Sequence, residues 1–381
     1  MQMKVYLDNG ASTMADKRAV KAMLPCFTKI YGNPSSLHTF GADARKAVDS
    51  SREVIAKKIN ADINEIIFTS GGTESDNTAI IGAAKANNDK GDHIITTKIE
   101  HKAVLNAFKY LEKKGFKTTY LNVDKEGLID LDELKKAIID KTILVSVMHA
   151  NNEIGTIQNI RGIGKICREK NVILHTDTVQ SFTKVPINVK DDFIDLASFS
   201  SHKIHGPKGV GALFIRSGVK IKPLLHGGGH EFNLRAGTEN VPGIVGFAKA
   251  AELCNSEANE KMKKLRDYMI EKIKKIPNAK INGSLEKRLV NNINVSFKGI
   301  EGEAILTLLN EAGVAVSTGS ACHSKNLQPS HVLKSIKTPD NYIQGSIRIT
   351  VSRFTTKKEA DYAVKNLKII VKKLTEMSPL G

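Results

Sequence analysis

The chain has 381 residues, 41% of them hydrophobic and 25% charged, with a formal net charge of +17 and a pI near 9.5. This is an ordinary soluble globular composition, and the length favours two domains. The N-terminus carries charge by its fourth residue and no stretch reaches the ~20 apolar residues that span a bilayer, so we expect no secretory signal, no membrane segment and a cytoplasmic location.

The excess of basic residues would suit nucleic acid or another acidic partner. The lysines are scattered along helical faces such as residues 260–275, however, with few aromatic residues between them. A solvated basic surface is therefore favoured, and direct nucleic-acid binding stays open as the weaker alternative.

The four cysteines are too far apart for a paired metal or redox motif, so we expect free thiols and no metal site. Cys26, Cys167 and Cys254 lie in helix-like segments, where packing in the core is favoured. Cys322 differs because its neighbours in residues 317–324 are small and polar, which predicts an exposed loop.

Short apolar segments alternate with amphipathic helical stretches between about residues 60 and 216. This alternation predicts an α/β fold with a mostly parallel sheet covered by helices. The predicted strands are 66–69, 93–97, 118–123, 143–148, 172–176, 196–200 and 211–215.

A long helical connector is predicted over residues 241–275, and the pattern beyond it is mixed. The remaining predicted elements are a strand at 292–297, a helix at 301–311, a strand at 347–351 and a helix at 356–373. They indicate a smaller α+β domain.

Five polar residues directly follow predicted strands, namely Thr73, His101, Asn152, Asp177 and Lys203. Sheets of this kind bind their ligands at the carboxyl ends of the strands. We therefore expect all five side chains to face one crevice.

Lys203 lies among small hydroxyl and imidazole neighbours, between an apolar run and a glycine-rich turn. A lysine held there can lose its proton more easily than a solvated one and attack a carbonyl. An aldehyde cofactor bound as a Schiff base, with an acid such as Asp177 facing its pyridine nitrogen, needs this pair. Taken alone, Lys203 could equally be an ordinary surface lysine.

Gly71 and Gly72 connect a strand to a helix, where free amide groups and the Thr73 hydroxyl make a cradle suited to a phosphate ester. A Gly-Gly turn by itself is weak evidence, because glycines serve many such loops. His101 begins the next helix and could stack on a flat ring and move protons, or could simply cap the helix. Asn152 could donate a hydrogen bond to a phenolic oxygen on that ring.

Eight motifs in this order and at these spacings resemble the cysteine desulfurase family: GGTESDN, EHKAV, HANNEIGTIQ, HTDTVQ, SFSSHKIHGPKGVGAL, RAGTEN, STGSACHS and GSIRIT. The resemblance runs from Tyr6 to Thr355 and implies a class V, fold-type I pyridoxal phosphate enzyme, usually a homodimer. It also implies a large cofactor domain at 15–255 and a small domain, formed by 1–14 and 256–381, that carries the catalytic-cysteine loop.

The resemblance carries three groups of site residues over by position. The catalytic group is Lys203, Cys322 and His101. The group that binds pyridoxal 5'-phosphate is Thr73, Asn152, Asp177, Gln180, Ser200, His202, Lys203 and, from the neighbouring subunit, Thr238. The substrate group is Arg348, whose planar fork suits a carboxylate, with Asn33 beside it.

The implied reaction removes sulfur from L-cysteine and releases L-alanine. The Lys203 amine takes the Cα proton while the cofactor acts as an electron sink, and the Cys322 thiolate attacks the substrate sulfur and becomes a persulfide. The long segment between Cys322 and Arg348 resembles the subgroup that serves iron–sulfur cluster assembly and tRNA thiolation. We therefore expect a sulfur-acceptor protein such as an iron–sulfur scaffold.

Three positions depart from the commonest pattern of that family. This chain has DNGAST where the family commonly has DNAAT, RAGT where it commonly has RSGT, and His205 where Tyr or Phe is frequent. Rival interpretations are a relative with another pyridoxal phosphate reaction, namely selenocysteine lyase, cystine β-elimination or an aminotransferase, and a basic nucleic-acid-binding scaffold that lost its reaction. The intact set of Lys203, Asp177 and Arg348 argues against the scaffold.

Overall fold

The computed structural model describes residues 3–318 and 329–377. Within these ranges the strands, numbered in chain order, are β1 Val5–Tyr6, β2 Ile66–Thr69, β3 His93–Thr97, β4 Lys117–Leu121, β5 Thr142–Ser146, β6 Ile173–Asp177, β7 Leu196–Ser200, β8 Gly211–Ile215, β9 Ala279–Ile281, β10 Asn292–Phe297, β11 Val314–Ala315 and β12 Ser346–Thr350. The α-helices are α1 Lys17–Met23, α2 Pro25–Thr28, α3 Thr39–Lys58, α4 Gly72–Ala86, α5 Lys102–Glu112, α6 Leu131–Ala137, α7 Ile160–Glu169, α8 Val241–Glu252, α9 Ser256–Ile273, α10 Gly302–Glu311, α11 His331–Ser335, α12 Asp340–Ile343 and α13 Lys357–Met377.

The largest sheet has seven strands in the order β2-β8-β7-β6-β5-β3-β4. Neighbours from β7 to β4 are parallel, whereas β8 runs antiparallel to both β2 and β7. The prediction of a mostly parallel sheet in an α/β fold is therefore confirmed. Most strands are buried along their whole length, as expected of a sheet covered by helices on both faces.

Alternate residues of these strands supply two separate cores, because successive side chains in a strand point to opposite faces. Ile94 packs in the cluster that contains Phe108 of α5. Its neighbour Ile95 packs on the opposite face, in the cluster that contains Ile163 of α7. The helices on both faces hold the strand ends in register, and those ends carry the polar residues.

A smaller α+β region contains the three-stranded antiparallel sheet β12-β10-β9 and the parallel pair β1-β11. Its core includes Val5 and Leu7 from the start of the chain together with Leu367 of α13. Both ends of the chain thus share one core. The exact domain limits, 15–255 against 1–14 with 256–381, stay a prediction.

The long helical stretch predicted over 241–275 is formed by two helices, α8 and α9, with a break at 253–255. The Asn255 side chain accepts a hydrogen bond from the Ala258 N–H and so caps a new helix. Cys254 lies in this break and is only half-buried, whereas Cys26 and Cys167 are buried as expected. In the described part of the chain, no helix is both long and apolar enough to span a membrane.

Candidate active site

A cavity of about 920 Å³ lies at the edge of the large sheet where β6 and β7 end. It brings together the five residues that follow strands in the sequence, Thr73, His101, Asn152, Asp177 and Lys203. Four further predicted site residues line the same cavity, namely Gln180, Ser200, His202 and Arg348. The cavity therefore collects positions that are spread over most of the chain.

Lys203 ends a short 3₁₀ turn directly after β7. Its Nζ donates hydrogen bonds to the backbone carbonyls of Gly10 and Ala11, both at 2.7 Å. Burial, followed by the positive charges of Arg348 and Lys184, lowers the pKa of the Lys203 amine to about 8. A useful fraction of this amine is therefore neutral, and nucleophilic, near neutral pH.

Asp177 is the last residue of β6, and its carboxylate Oδ1 accepts a hydrogen bond of 2.9 Å from the Val179 N–H. Burial raises the pKa of this carboxyl, while His101 in its protonated form, the hydrogen bond from Val179 and the Lys203 ammonium lower it. A further cation at this position would stabilise the ionised form. The setting thus suits a protonated ring nitrogen.

A second carboxyl, Asp76 of α4, is buried beside Asp177 and also lines the cavity. Burial, with the Asp177 charge adding to it, raises the Asp76 pKa well above its ordinary value. Its neighbour His175 hydrogen-bonds through its two ring nitrogens to Ser146 and Ser198, and burial lowers the His175 pKa to about 3. Burial beside a second carboxyl thus favours the protonated form of Asp76.

His101 is the N-cap of α5, and its Nδ1 accepts a hydrogen bond of 3.1 Å from the Ala103 N–H. Because Nδ1 is an acceptor, the proton of the neutral ring belongs on Nε2. Burial lowers the pKa of His101, so the ring is neutral at neutral pH. The capping interpretation is therefore confirmed, and the same ring also lines the cavity.

The turn from β2 into α4 brings the first turn of this 15-residue helix to the cavity. Gly72 is required there by space, because an added Cβ would lie 2.7 Å from Cγ2 of Val179. Thr73 at this helix start lines the cavity, as do Ser200 and His202. Free N–H groups at a helix start together with hydroxyls form a favourable anion site.

Arg348 reaches the cavity from β12 of the small sheet and is buried. Its Nη1 donates to the backbone carbonyl of Asn152 at 3.0 Å, and its Nη2 donates to Oδ1 of Asp8 at 3.0 Å. The Gln180 Nε2 donates to the Gly10 carbonyl at 3.1 Å. These bonds tie the small sheet and the start of the chain to the cavity.

Three predicted site residues are not among those that line the cavity. Asn33 is exposed, and its Oδ1 accepts from the Ser35 N–H in a turn before α3, so the structure does not place it beside Arg348. Thr238 is exposed in the loop before α8, and its contribution to a neighbouring subunit stays a prediction. Cys322 lies outside the described residues.

Other cavity residues were missed at the level of sequence. Asp76 lies in a quoted motif, but its burial depends on the sheet beneath α4. Gly10 and Ala11 contribute their backbone carbonyls to the site. Every residue has such a carbonyl, so the residue type gives no indication of this role. The motif DNGAST was the one available sign that this segment contributes to the site.

The cavity combines an amine of depressed pKa, a buried carboxyl, a neutral imidazole and an anion cradle at a helix start. These groups fit an aldehyde cofactor that has an aromatic ring nitrogen and a phosphate, with Lys203, Asp177, His101 and Thr73 as its respective contacts. Arg348 adds a binding group for a carboxylate.

Comparisons with known proteins agree with this chemistry. The family model described as aminotransferase class-V matches residues 5–363. A cysteine desulfurase IscS from Methanosarcina thermophila is 53% identical over 379 residues, which cover 99% of this chain and 94% of that relative. A NifS-like protein of known structure has a TM-score of 0.92 at 42% identity, with 98% and 100% of the two chains covered. A structure described as SspA in complex with cysteine has a TM-score of 0.84 at 37% identity, with 93% and 100% covered. The chain therefore belongs to the cysteine desulfurase family, within the class-V aminotransferases.

Proposed function

We propose that the cavity binds pyridoxal 5'-phosphate and L-cysteine, and that the chain converts L-cysteine to L-alanine with transfer of its sulfur to Cys322. The observation that carries the proposal is the shared cavity of Lys203, Asp177 and Arg348, which supplies an amine, a ring-nitrogen partner and a carboxylate-binding group. The relative SspA, which was solved with cysteine, supports L-cysteine as the substrate.

Each contact of the cofactor is assigned to a residue of the cavity. Lys203 would hold the aldehyde carbon, Asp177 the ring nitrogen and His101 one face of the ring. The phosphate and ring substituents would be held by Thr73, Ser200, His202, Asn152 and Gln180. When bound, the cofactor supplies an electron sink for negative charge that develops at the substrate Cα.

The chain's own groups then bind the substrate and move its proton. Arg348 holds the substrate carboxylate, which fixes the direction of the Cα–H bond. The Lys203 amine would accept the Cα proton at Nζ, and its pKa of about 8 suits a base that works near neutral pH. The Nε2 of His101 holds a proton that can be donated to the reacting groups.

The assignment of Cys322 as the nucleophile is supported by the described residues on either side of 319–328. Ser317 forms a backbone bridge with Arg348, in which its N–H donates to the Arg348 carbonyl at 3.1 Å. On the other side, Pro329 and Ser330 line the cavity. The described residues that flank this segment on both sides are therefore attached to the cavity wall.

The proposal includes the later fate of the sulfur. A persulfide on Cys322 would be passed to an acceptor protein such as an iron–sulfur scaffold, since relatives named IscS share about half of this sequence. The working unit would be a cytoplasmic homodimer in which the exposed Thr238 completes the phosphate site of its neighbour.

Replacement of Cys322 by Ala tests the proposal directly. L-Alanine release from L-cysteine should be lost, while the visible band of the bound cofactor remains. Cys254→Ala is the matched control and should keep full turnover. Mass analysis of wild type should find the persulfide on the peptide that contains residue 322. Full turnover by Cys322→Ala would refute the nucleophile, and pyruvate or a keto acid as the main product would indicate β-elimination or transamination instead.

A further inference from the structure

Ser330 lies in the wall of the cavity and contacts a buried carboxyl there. Its hydroxyl donates a hydrogen bond of 2.5 Å to Oε2 of Glu153. Both residues are buried, and both line the cavity. Ser330 follows Cys322 by eight residues in the sequence. The contact with Glu153 therefore fixes a point of the chain that is close in sequence to the proposed nucleophile.

The backbone of Glu153 is held on both sides of the residue. Its N–H donates to Oδ1 of Asn151 at 2.9 Å. Its carbonyl accepts from Nδ2 of Asn292 at 3.1 Å and from Nδ2 of Asn294 at 3.3 Å, and both of these residues belong to β10 of the small sheet. The carboxyl of Glu153 therefore extends from a fixed backbone and can hold a partner in a defined place.

The helix α11, which begins directly after Ser330, has other contacts that hold it in place. The Ser330 hydroxyl caps this helix by accepting from the Leu333 N–H at 3.2 Å. Val332 and Leu333 are fully buried, in an apolar cluster that includes Met148. The cap and the apolar packing account for the position of α11, so the contact with Glu153 is an addition to them.

A carboxyl group at this position reduces the stability of the fold. Burial raises the pKa of Glu153 to about 7, although the hydrogen bond from Ser330 and the positive charges of Arg348 and Lys102 lower it. The folded chain therefore loses stability as pH rises from 4.5, the ordinary pKa of Glu, to about 7. A glutamine would accept the same hydrogen bond without a charge to bury. A charge that is kept in a cavity wall at this cost indicates a role in function rather than in stability.

We propose that Glu153 is a positioning residue for the transfer of sulfur to Cys322, and that it acts by holding Ser330 against the cavity wall. In this transfer a bond forms between Sγ of Cys322 and the substrate sulfur, and the Cβ–S bond of the substrate breaks. The electron pair of the broken bond stays on Cβ, which takes up a proton to become the methyl group of L-alanine. The ionised Glu153 makes a charge-assisted hydrogen bond, which restrains Ser330 more strongly than a neutral acceptor would. This inference rests on the proposed function in taking Cys322 as the nucleophile.

The first test compares the rate of sulfur transfer with the affinity for L-alanine. The rate of the first turnover of the holoenzyme, measured as L-alanine formed from L-cysteine after rapid quenching at about pH 8, should fall about 10- to 100-fold in Glu153→Ala and in Ser330→Ala. The double variant should be no slower than Glu153→Ala, because both changes remove one contact. Affinity for L-alanine, titrated by the visible absorption of the bound cofactor, should weaken by no more than about twofold. The control is Glu257→Gln, which removes an exposed charge that is paired with Lys261.

The second test uses Glu153→Gln, which keeps a hydrogen-bond acceptor and removes the charge. The ratio of the wild-type rate to the rate of this variant cancels the ionisations that both enzymes share, including that of Lys203. The ratio should be near ~1 at about pH 6, where Glu153 is mostly protonated, and should rise several-fold as pH passes through about 7. In urea at about pH 8, the cofactor-free variant should be at least as stable as wild type, because it buries no charge.

Three results overturn the inference. They are a first-turnover rate within about twofold of wild type in Glu153→Ala, a loss of L-alanine affinity as large as the loss of rate, and a ratio for Glu153→Gln that does not change with pH. If Glu153→Ala does not fold, the pH profile of Glu153→Gln decides alone. Full turnover by Cys322→Ala, or a wild type that releases no L-alanine, refutes the proposed function and this inference with it.

Discussion

The depressed pKa of Lys203 predicts how quickly the cofactor-free protein takes up pyridoxal phosphate at each pH. Only the neutral amine attacks an aldehyde, and burial is the main cause of the shift from 10.5 to about 8. At pH 7 about one amine in ten is then neutral, against roughly one in 3,000 for an ordinary lysine. At pH 7 the neutral, reactive fraction of Lys203 is thus about 300 times that of an ordinary lysine.

The pKa of Lys203 also fixes the direction of the pH dependence. The neutral fraction of the amine grows as pH rises through about 8 and is nearly complete well above it. The rate of cofactor uptake, followed by stopped-flow absorbance, should therefore rise with pH and reach a plateau above about 9. The same titration with Nα-acetyl-lysine corrects for ionisation of the cofactor itself.

Two matched variants test whether the neighbouring charge of Lys184 contributes to the lowered pKa of Lys203. Lys184→Met removes a buried cation whose Nζ donates to the Lys203 carbonyl at 3.4 Å and whose charge lowers the Lys203 pKa. In Lys184→Met, the pH at which the rate of cofactor uptake is half its plateau should therefore rise. Lys57→Met, on the exposed surface of α3, should leave it unchanged. If the wild-type rate changes with pH in the same way as the rate for Nα-acetyl-lysine, with no plateau above about 9, the reasoning is refuted.

Two further predictions concern stability. Arg52 and Glu231 form a buried ion pair at 2.7 Å, so Arg52→Leu should lower the free energy of unfolding by about 3–5 kcal/mol, and a loss below about 1 kcal/mol in urea unfolding would contradict this. Burial raises the pKa of Glu100 from 4.5 to about 8, so the folded chain holds this proton more tightly than the unfolded chain and loses stability as pH rises between those values. Glu100→Gln should flatten this part of the stability–pH curve, and an unchanged slope would count against the assignment.

The placement of much of the site follows from the sequence for a topological reason. Thr73, His101, Asn152 and Lys203 follow strands and Asp177 ends one, and parallel neighbours end at one edge of a sheet. The apolar segments that mark these strands are short and bounded by polar turns, so their positions could be predicted to within a few residues. The prediction needed no knowledge of side-chain packing.

What the sequence did not predict depends on tertiary contacts. The bond between Asp8 and Arg348 joins the two ends of the chain, and no local pattern indicates such a pairing. The break at Asn255 lies inside a charged stretch of helical periodicity, where one capping side chain decides the outcome. The raised pKa of Asp76 follows from burial beside a second carboxyl, which only the folded chain brings about.

All other assignments in the cavity depend on the proposal that Lys203 carries the cofactor. Borohydride reduction of the holoenzyme, followed by proteolysis and peptide mapping by mass, measures this most directly. We expect a pyridoxyl group fixed to Lys203. An unmodified Lys203 in reduced holoenzyme, with the label on another lysine or on none, would contradict it.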